Sequence, residues 1–157
     1  MNRLLSFPVV IVLLLATFAC GSKKPPEQTA IKSKNILTVL REMNKSYEQK
    51  NLDAFLSDVS SAYRDRESFA KSLTAVFSKY ETIHFNIQYA RMIIMIQEKS
   101  QIKATFTWDG EWMAAGGMMV KDGGRVTLVF EPDSFKLVSI DGKNPFLAQP
   151  GGAPGKQ

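Results

Sequence analysis

The sequence predicts an α+β domain: three N-terminal helices packed on a strongly curved antiparallel sheet that forms a cone. Two features of the apolar pattern carry this prediction. Over residues 31–80 apolar side chains recur with the helical period, and over 83–140 they recur at every second position, as in strands. Because the helical half precedes the strand half, we expect segregated layers rather than alternating β-α-β units.

Three helices follow from apolar stripes and capping residues. The first helix carries a stripe at i, i+4, i+7 and i+11, made of Ile36, Leu40, Met43 and Tyr47. Asn51 is a predicted N-cap for a short second helix whose apolar face is Leu52, Phe55, Leu56 and Val59. Asp65 is the predicted cap of a third helix, with the buried stripe Phe69, Leu73, Val76, Phe77 and Tyr80.

The strands are predicted from alternation and from turn residues. Alternation begins at Ile83 and passes into a continuous apolar run over 92–96. We therefore expect one long strand with a bulge, buried on both faces at its far end. Asp109-Gly110 is predicted to be a turn or a bulge, and Asp122-Gly123-Gly124 is a strong hairpin pattern. Further strands are predicted over the ranges 102–108, 112–120, 126–130 and 135–140.

The start of the chain predicts export and lipidation. Residues 1–19 combine a basic start with a short apolar run, as a secretory signal peptide does. Cys20 is the only cysteine, and Cys20-Gly21-Ser22 resembles the lipobox of bacterial lipoproteins, although Thr17 and Phe18 depart from its usual residues. The resemblance implies cleavage before Cys20 and lipid attachment to it. An ordinary secretory signal or an uncleaved anchor are the alternatives.

The predicted lipid anchor also implies a location. Two or more acyl chains hold a protein firmly on a membrane. Gly21 after the cysteine, by resemblance to Gram-negative lipoproteins, implies the periplasmic face of the outer membrane rather than retention in the inner one. We expect a lipidated tether over 20–30, one domain over 31–147 and a disordered tail over 148–157.

Charge and cysteine content exclude some classes of protein. The formal net charge of +5 is spread along the chain, whereas a nucleic-acid-binding face needs clustered basic residues. We therefore expect no nucleic-acid partner. One cysteine allows no disulfide within the chain, and one histidine with one cysteine cannot form a zinc site. We expect no metal and no cofactor.

The order and pattern of these elements resemble the nuclear transport factor 2-like superfamily, in which three helices close a conical sheet. The resemblance covers 31–146 and is carried by three stretches: 52–65, the helix over 69–80, and the ending 135–146. A cystatin-like domain, with one helix on a sheet, fits less well. Relatives include ketosteroid isomerase, scytalone dehydratase, limonene epoxide hydrolase and polyketide cyclases, which hold Asp/His or Asp/Arg/Tyr groups inside the cone.

Those catalytic residues do not carry over onto this sequence. The only histidine, His84, alternates with apolar residues and has no evident partner. Asp109 and Glu111 flank Gly110 between two tryptophans. They are interpreted as a solvated turn, or alternatively as a polar spot at the cone mouth. We predict no catalytic residue.

An apolar space inside the cone is the remaining candidate site. Its predicted lining is Tyr47, Tyr63, Phe77, Tyr89, Phe106, Trp108 and Met118, each of which could equally be plain core. The leading hypothesis is a membrane-anchored lipoprotein whose non-catalytic domain binds a small apolar ligand or another envelope protein. A homodimer through the sheet is a further expectation. The alternative is an isomerase- or dehydratase-type enzyme that uses the same pocket.

Overall fold

A computed structural model describes residues 27–97 and 101–147 of the chain. The predicted signal peptide, Cys20, most of the tether and the tail over 148–157 lie outside these described residues. Within the two described ranges, no helix combines the length and the apolar character needed to cross a membrane.

Among the described residues, three helices form one layer, as the apolar stripes predict. They are α1 (Glu27–Glu48), α2 (Leu52–Ser57) and α3 (Arg66–Lys79). The predicted stripe of α1 is buried, and so are Phe55 of α2 and the Phe69, Leu73 and Phe77 positions of α3. The predicted cap of α2 is confirmed, because the Asn51 side chain accepts a hydrogen bond from the Ala54 N–H at 3.0 Å. Asp65 does precede α3, but its side chain makes no capping hydrogen bond.

In the same part of the chain, five antiparallel strands form the second layer, a curved sheet. They are β1 (Tyr80–Ile87), β2 (Ile93–Gln97), β3 (Gln101–Ala114), β4 (Met119–Phe130) and β5 (Leu137–Gly142). The order is β1-β3-β4-β5, and β2 also pairs with β3. β3 therefore has two partners along one edge: β1 beside its second half and β2 beside its first half. This arrangement confirms the α+β fold class with three helices on a curved antiparallel sheet.

The predicted hairpin at Asp122-Gly123-Gly124 is wrong. These residues lie inside β4, opposite Trp108, Asp109 and Gly110 of β3. The turn is at Gly116 and Gly117 instead, which have φ values of 83° and 81°. Such positive φ angles are accessible to glycine at little cost. Asp109-Gly110 is accordingly neither a turn nor a bulge, because β3 runs through it without interruption.

The segment after β1 also differs from the prediction. A short 3-10 turn, Tyr89–Arg91, divides the expected long strand into β1 and β2. The far end is not buried on both faces, since Ile93 and Met95 of β2 are about half exposed, at 52% and 49%. Only the alternate residues Ile94 and Ile96 pack against the core. α1 begins at Glu27, so its first turn occupies the end of the predicted tether.

The core lies between the helices and the concave face of the sheet. Even-numbered residues of β3 are buried and point toward the helices, whereas the odd-numbered residues form the outer face. The pairing of β1 with β3 extends this division to β1. Its residues Ile83 and Phe85 are on the concave face, while His84 and Asn86 are on the outer face.

Candidate functional site

A cluster of aromatic rings fills the described part of the cone interior, with Tyr47 of α1 at its centre. The Tyr47 ring centroid lies 5.3 to 6.0 Å from those of Phe55, Phe77, Phe85 and Phe146. Phe85 also stacks on Trp108 at 5.6 Å. Such tilted, edge-on and stacked contacts are favourable beyond the area they bury. The chain's own side chains therefore occupy much of the predicted ligand space.

The Tyr47 hydroxyl is fully used within this cluster. It donates a hydrogen bond to the Phe146 carbonyl at 2.8 Å and accepts one from the Trp112 Nε1–H at 2.8 Å. Burial raises the pKa of Tyr47 far above its ordinary value, so the phenol stays protonated. These two hydrogen bonds link α1 to β3 and to the segment that follows β5. Because the hydroxyl proton is donated to the Phe146 carbonyl, it is not available for proton transfer.

The predicted lining residues fall into an interior group and a peripheral group. The buried side chains of Tyr47, Phe77, Phe106 and Trp108 belong to the core. Half-buried Tyr63 stacks on Phe69 at 5.0 Å, and the ring of half-buried Tyr89 lies under the Arg41 guanidinium at 5.6 Å. The predicted place of Met118 inside the cone is wrong. Met118 belongs to the β3–β4 turn and is 64% exposed.

A carboxylate that the sequence analysis missed lies on the concave face. Asp122 of β4 has a side chain only 2% accessible to solvent, and it forms an ion pair with Lys143, which follows β5. Asp122 Oδ1 also accepts the Gly123 N–H at 2.8 Å. The alternation of β4 contains the signal: Asp122 is in phase with the buried residues Val126, Leu128 and Phe130. The predicted hairpin at Asp122-Gly123-Gly124 obscured this alternation.

Two polar atoms near this ion pair have no hydrogen-bond partner. They are the second carboxylate oxygen of Asp122, Oδ2, and the indole Nε1–H of Trp108, and both are buried. Gly124 lies beside Trp108 and Lys143. A Cβ atom on Gly124 would be 3.8 Å from Trp108 Nε1 and 3.9 Å from Lys143 Cδ.

The outer face of the sheet is mixed in character. His84 is exposed there, opposite Glu111 in the β1–β3 register, and Glu111 is paired with Lys121. Asp109 is exposed on the same face and accepts a hydrogen bond from the Asn86 side chain at 3.0 Å. Both acids therefore face the outside of the sheet rather than the cone mouth.

Exposed apolar side chains lie at two opposite ends of this side of the domain. Of the five large apolar side chains that are exposed among the described residues, four lie on β2 or at the β3–β4 hairpin: Ile93, Met95, Met118 and Met119. The fifth, Ile31, is on α1.

Asp58 is a second unusual carboxyl, at the junction of α2 and β5. Burial, with the nearby Glu42 charge as the second cause, raises the pKa of Asp58 to about 6. Its backbone carbonyl accepts the Leu137 N–H at 2.8 Å. No group of three or more His, Cys, Asp or Glu side chains in 27–97 and 101–147 has the arrangement of a metal site.

Comparison with known proteins gives structural matches alone. No protein-family model matches the sequence, and no curated protein matches it. A nuclear transport factor 2-like superfamily protein from Salmonella enterica serovar Typhimurium superposes with a TM-score of 0.63 and 14% identity, over 82% of this chain and 99% of that one.

Two further solved structures are similar. A candidate scytalone dehydratase from Novosphingobium aromaticivorans gives a TM-score of 0.62 at 6% identity, over 82% of this chain and 98% of that one. A candidate dehydratase of the same structural family from Streptomyces avermitilis gives 0.58 at 16% identity, over 71% and 94% of the two chains. At such identities only the architecture is comparable. The described domain therefore has the nuclear transport factor 2-like fold: three helices that close a conical antiparallel sheet.

Proposed function

We propose that this protein is an exported lipoprotein, anchored through Cys20, whose domain is non-catalytic and binds another envelope protein through the outer face of its sheet. A second copy of the chain is one such partner. The observation that carries the proposal is that exposed apolar side chains lie at both ends of this side of the sheet, on β2 and at the β3–β4 hairpin. Exposed apolar surface bordered by polar residues is typical of protein interaction sites.

The polar residues around these side chains suit a protein interface. Register places Ile93 and Met95 beside Thr105 and Lys103 on the outer face, and Met119 is opposite Met113. The charged and amide groups between the two apolar ends, such as the Glu111–Lys121 pair, would form the polar part of such an interface.

The packed interior argues against a small apolar ligand in the cone. The rings predicted to line the space contact one another, and the Tyr47 hydroxyl is engaged by Phe146 and Trp112. A ligand of phenyl size would have to displace a ring, which would forfeit packing worth about 3–5 kcal/mol. Binding on the outside requires no such displacement.

The enzyme alternative has one observation in its favour. Asp122 is a buried carboxylate on the concave face, and two structurally similar proteins are named as candidate dehydratases. However, Lys143 pairs with Asp122, and His84 is on the opposite face of the sheet. No second acid, base or hydroxyl is hydrogen-bonded to Asp122 within the described residues. We therefore place binding ahead of catalysis.

Charge substitution on the outer face tests the proposal. Met95→Glu and Met119→Glu each put a carboxylate into an apolar end of that face, and Ile31→Glu is the matched control on α1. Affinity purification from detergent-solubilised membranes should retain the partner with Ile31→Glu and lose it with the two outer-face variants. Sedimentation velocity shows whether the partner is a second copy. If all three variants behave alike, or the parent retains no partner and stays monomeric, the proposed interface is wrong.

A separate experiment tests the anchor. Cys20→Ala should abolish incorporation of a labelled fatty acid and release the protein from the membrane fraction, because acyl chains supply nearly all of the membrane affinity. Equal labelling of the parent and the variant would contradict lipidation at Cys20.

A further inference from the structure

The solvent-exposed side of α1 carries a straight row of residues that is mainly basic. The core-facing stripe of the helix begins at Ile36, and the opposite side of the helix is open to solvent. On that side a second stripe recurs at alternating spacings of three and four positions, which places its members on one line along the helix. Its members, all exposed, are Ile31, Lys34, Thr38, Arg41 and Lys45. We call these five residues the basic stripe.

The charges of the basic stripe are available to a partner. Within residues 27–97 and 101–147, no acidic side chain forms a salt bridge with Lys34, Arg41 or Lys45. The Arg41 guanidinium lies over the Tyr89 ring, at 5.6 Å from its centroid, and the residue remains exposed. All three basic groups can therefore contact an anionic surface.

The positive charge of the protein is concentrated at this end of the chain. Basic residues occur throughout the sequence, but their excess over acidic residues does not. Residues 46–157 hold 13 basic and 13 acidic residues, so their formal charge is zero. Residues 20–45 hold six basic residues and only two acidic ones, Glu27 and Glu42. The tether and α1 therefore carry the whole excess that follows the signal peptide.

The predicted anchor keeps this charge close to a membrane. α1 begins seven residues after Cys20. A segment of that length spans at most about 25 Å when extended, and about 15 Å on average when flexible. The latter distance is about two Debye lengths at physiological ionic strength. A lipid on Cys20 would therefore hold the start of α1 where it is attracted by anionic headgroups.

The two-layer architecture relates the basic stripe to the outer face of the sheet. α1 buries its opposite side against the core on the concave face, so the stripe and the outer face point in opposite directions. Contact between the stripe and a membrane would turn Met95 and Met119 away from the lipid. The outer face would then be accessible to another envelope protein.

We propose that the basic stripe lies on the anionic phospholipid headgroups of the membrane that holds the anchor, with α1 along the surface. This inference rests on the lipidation of Cys20 in the proposed function, and it assigns the orientation of the domain on the membrane. Each Lys or Arg near an anionic surface strengthens binding about fivefold. Such binding is weak alone, but it is sufficient for a domain that its anchor already keeps at the surface.

Fluorophores at single sites test this orientation in the full-length lipidated protein. Cys20 is the only cysteine and its thiol carries the lipid, so an introduced cysteine is the single labelling site. Thr38→Cys places a nitrobenzoxadiazole label in the stripe without removal of a charge, and Asn86→Cys is the matched site on the outer face. The vesicles contain phosphatidylcholine, phosphatidylglycerol and a lipid with a nitroxide headgroup as quencher. We expect quenching of the label at Thr38 and not at Asn86, and loss of this quenching without phosphatidylglycerol or at high salt.

Paired charge variants test which residues are responsible. Lys34→Gln combined with Lys45→Gln should weaken the contact about 25-fold and reduce quenching of the Thr38 label to its level in phosphatidylcholine alone. Lys103→Gln combined with Arg125→Gln removes the same charge from the outer face and should leave the quenching unchanged. Both variants should float with the vesicles as the parent does, because the acyl chains are intact.

Flotation separates this inference from the anchor itself. If the parent floats but its two labels are quenched alike, or quenching is independent of phosphatidylglycerol, the proposed contact is wrong and the anchor stands. Equal losses from the two charge variants would also overturn it. A Thr38 label that vesicles leave unquenched, but that native membranes shield from iodide, would mean that the stripe binds an acidic protein instead. A parent that does not float would overturn the anchor and this inference together.

Discussion

Removal of one hydroxyl group should reveal how much the interior depends on Tyr47. In Tyr47→Phe the Phe146 carbonyl loses its donor and the Trp112 Nε1–H loses its acceptor, and both partners are buried. Each buried group left unpaired costs about 1–3 kcal/mol. With allowance for the hydroxyl that no longer has to be desolvated, we expect the free energy of unfolding to fall by about 2–4 kcal/mol.

Tyr80→Phe is the matched control, because it makes the same chemical change at another buried tyrosine. Tyr80 is 2% exposed, and its hydroxyl has no hydrogen-bond partner. Removal of an unsatisfied hydroxyl should leave stability unchanged or raise it by up to about 1 kcal/mol. Urea denaturation followed by far-ultraviolet circular dichroism near neutral pH measures both variants without reliance on tryptophan fluorescence, which the Tyr47 change could alter.

Alkaline pH supplies a second test of the same residue. Burial raises the pKa of Tyr47 above its ordinary value of 10.0, so the unfolded chain ionises at a pH where the folded chain does not. The stability due to the neutral phenol is present below the unfolded pKa and is lost as the pH rises beyond about 10. Tyr47→Phe should show a smaller loss than the parent, and the remaining loss comes from Tyr63 and Tyr89, since burial raises the pKa of these two residues as well. Equal destabilisation by Tyr47→Phe and Tyr80→Phe would refute the assigned hydrogen bonds.

Three further changes test other parts of the structure. Asp58→Asn should raise the melting temperature near neutral pH, and the increase should be smaller toward pH 4. The pKa of Asp58 is raised to about 6, so its ionised form destabilises the folded state more as the pH rises. An increase that becomes larger toward acid pH would contradict this reasoning. In urea denaturation, Phe77→Ala should lower the free energy of unfolding by about 3–5 kcal/mol. Lys71→Ala, in an exposed pair with Glu67, should lower it by less than about 0.5 kcal/mol. Similar losses for the two variants would show that the buried face of α3 is assigned wrongly. His84→Ala should fold and complement a deletion strain as the parent does, since His84 lies outside the cone and away from the apolar ends of the outer face. A stable variant that still retains the partner but fails to complement would reopen the search for catalysis.

Helical periodicity predicted the helix layer well, because each helix carries one continuous stripe. The stripe of α1 from Ile36 to Tyr47 is buried throughout, and the Asn51 cap follows from a local hydrogen bond that sequence alone implies. These features depend on neighbours three or four positions apart. Distant parts of the chain have little influence on them.

The strand layer was harder to predict, because glycine supports two different structures. Gly123 and Gly124 are extended in β4, opposite Asp109 and Trp108 of β3, while Gly116 and Gly117 make the turn. Only pairing with β3 decides between the two pairs of glycines. The burial of Asp122 was missed for the same reason, because an acidic residue in a hairpin turn is normally solvated. The burial of β2 was also misjudged, because an apolar run cannot reveal that one face of a strand remains uncovered.

The position of Phe146 has a consequence for how the domain folds. Its ring packs on Phe55 and Phe85, and its carbonyl accepts a hydrogen bond from Tyr47, 99 positions earlier in the chain. Contacts between such distant residues form late, because a large loop must close before they contribute. During synthesis, the helices and early strands are present before this last ring is added. Until then the aromatic side chains around Tyr47 remain uncovered, and the nascent domain is most exposed to aggregation and most dependent on a chaperone in this interval.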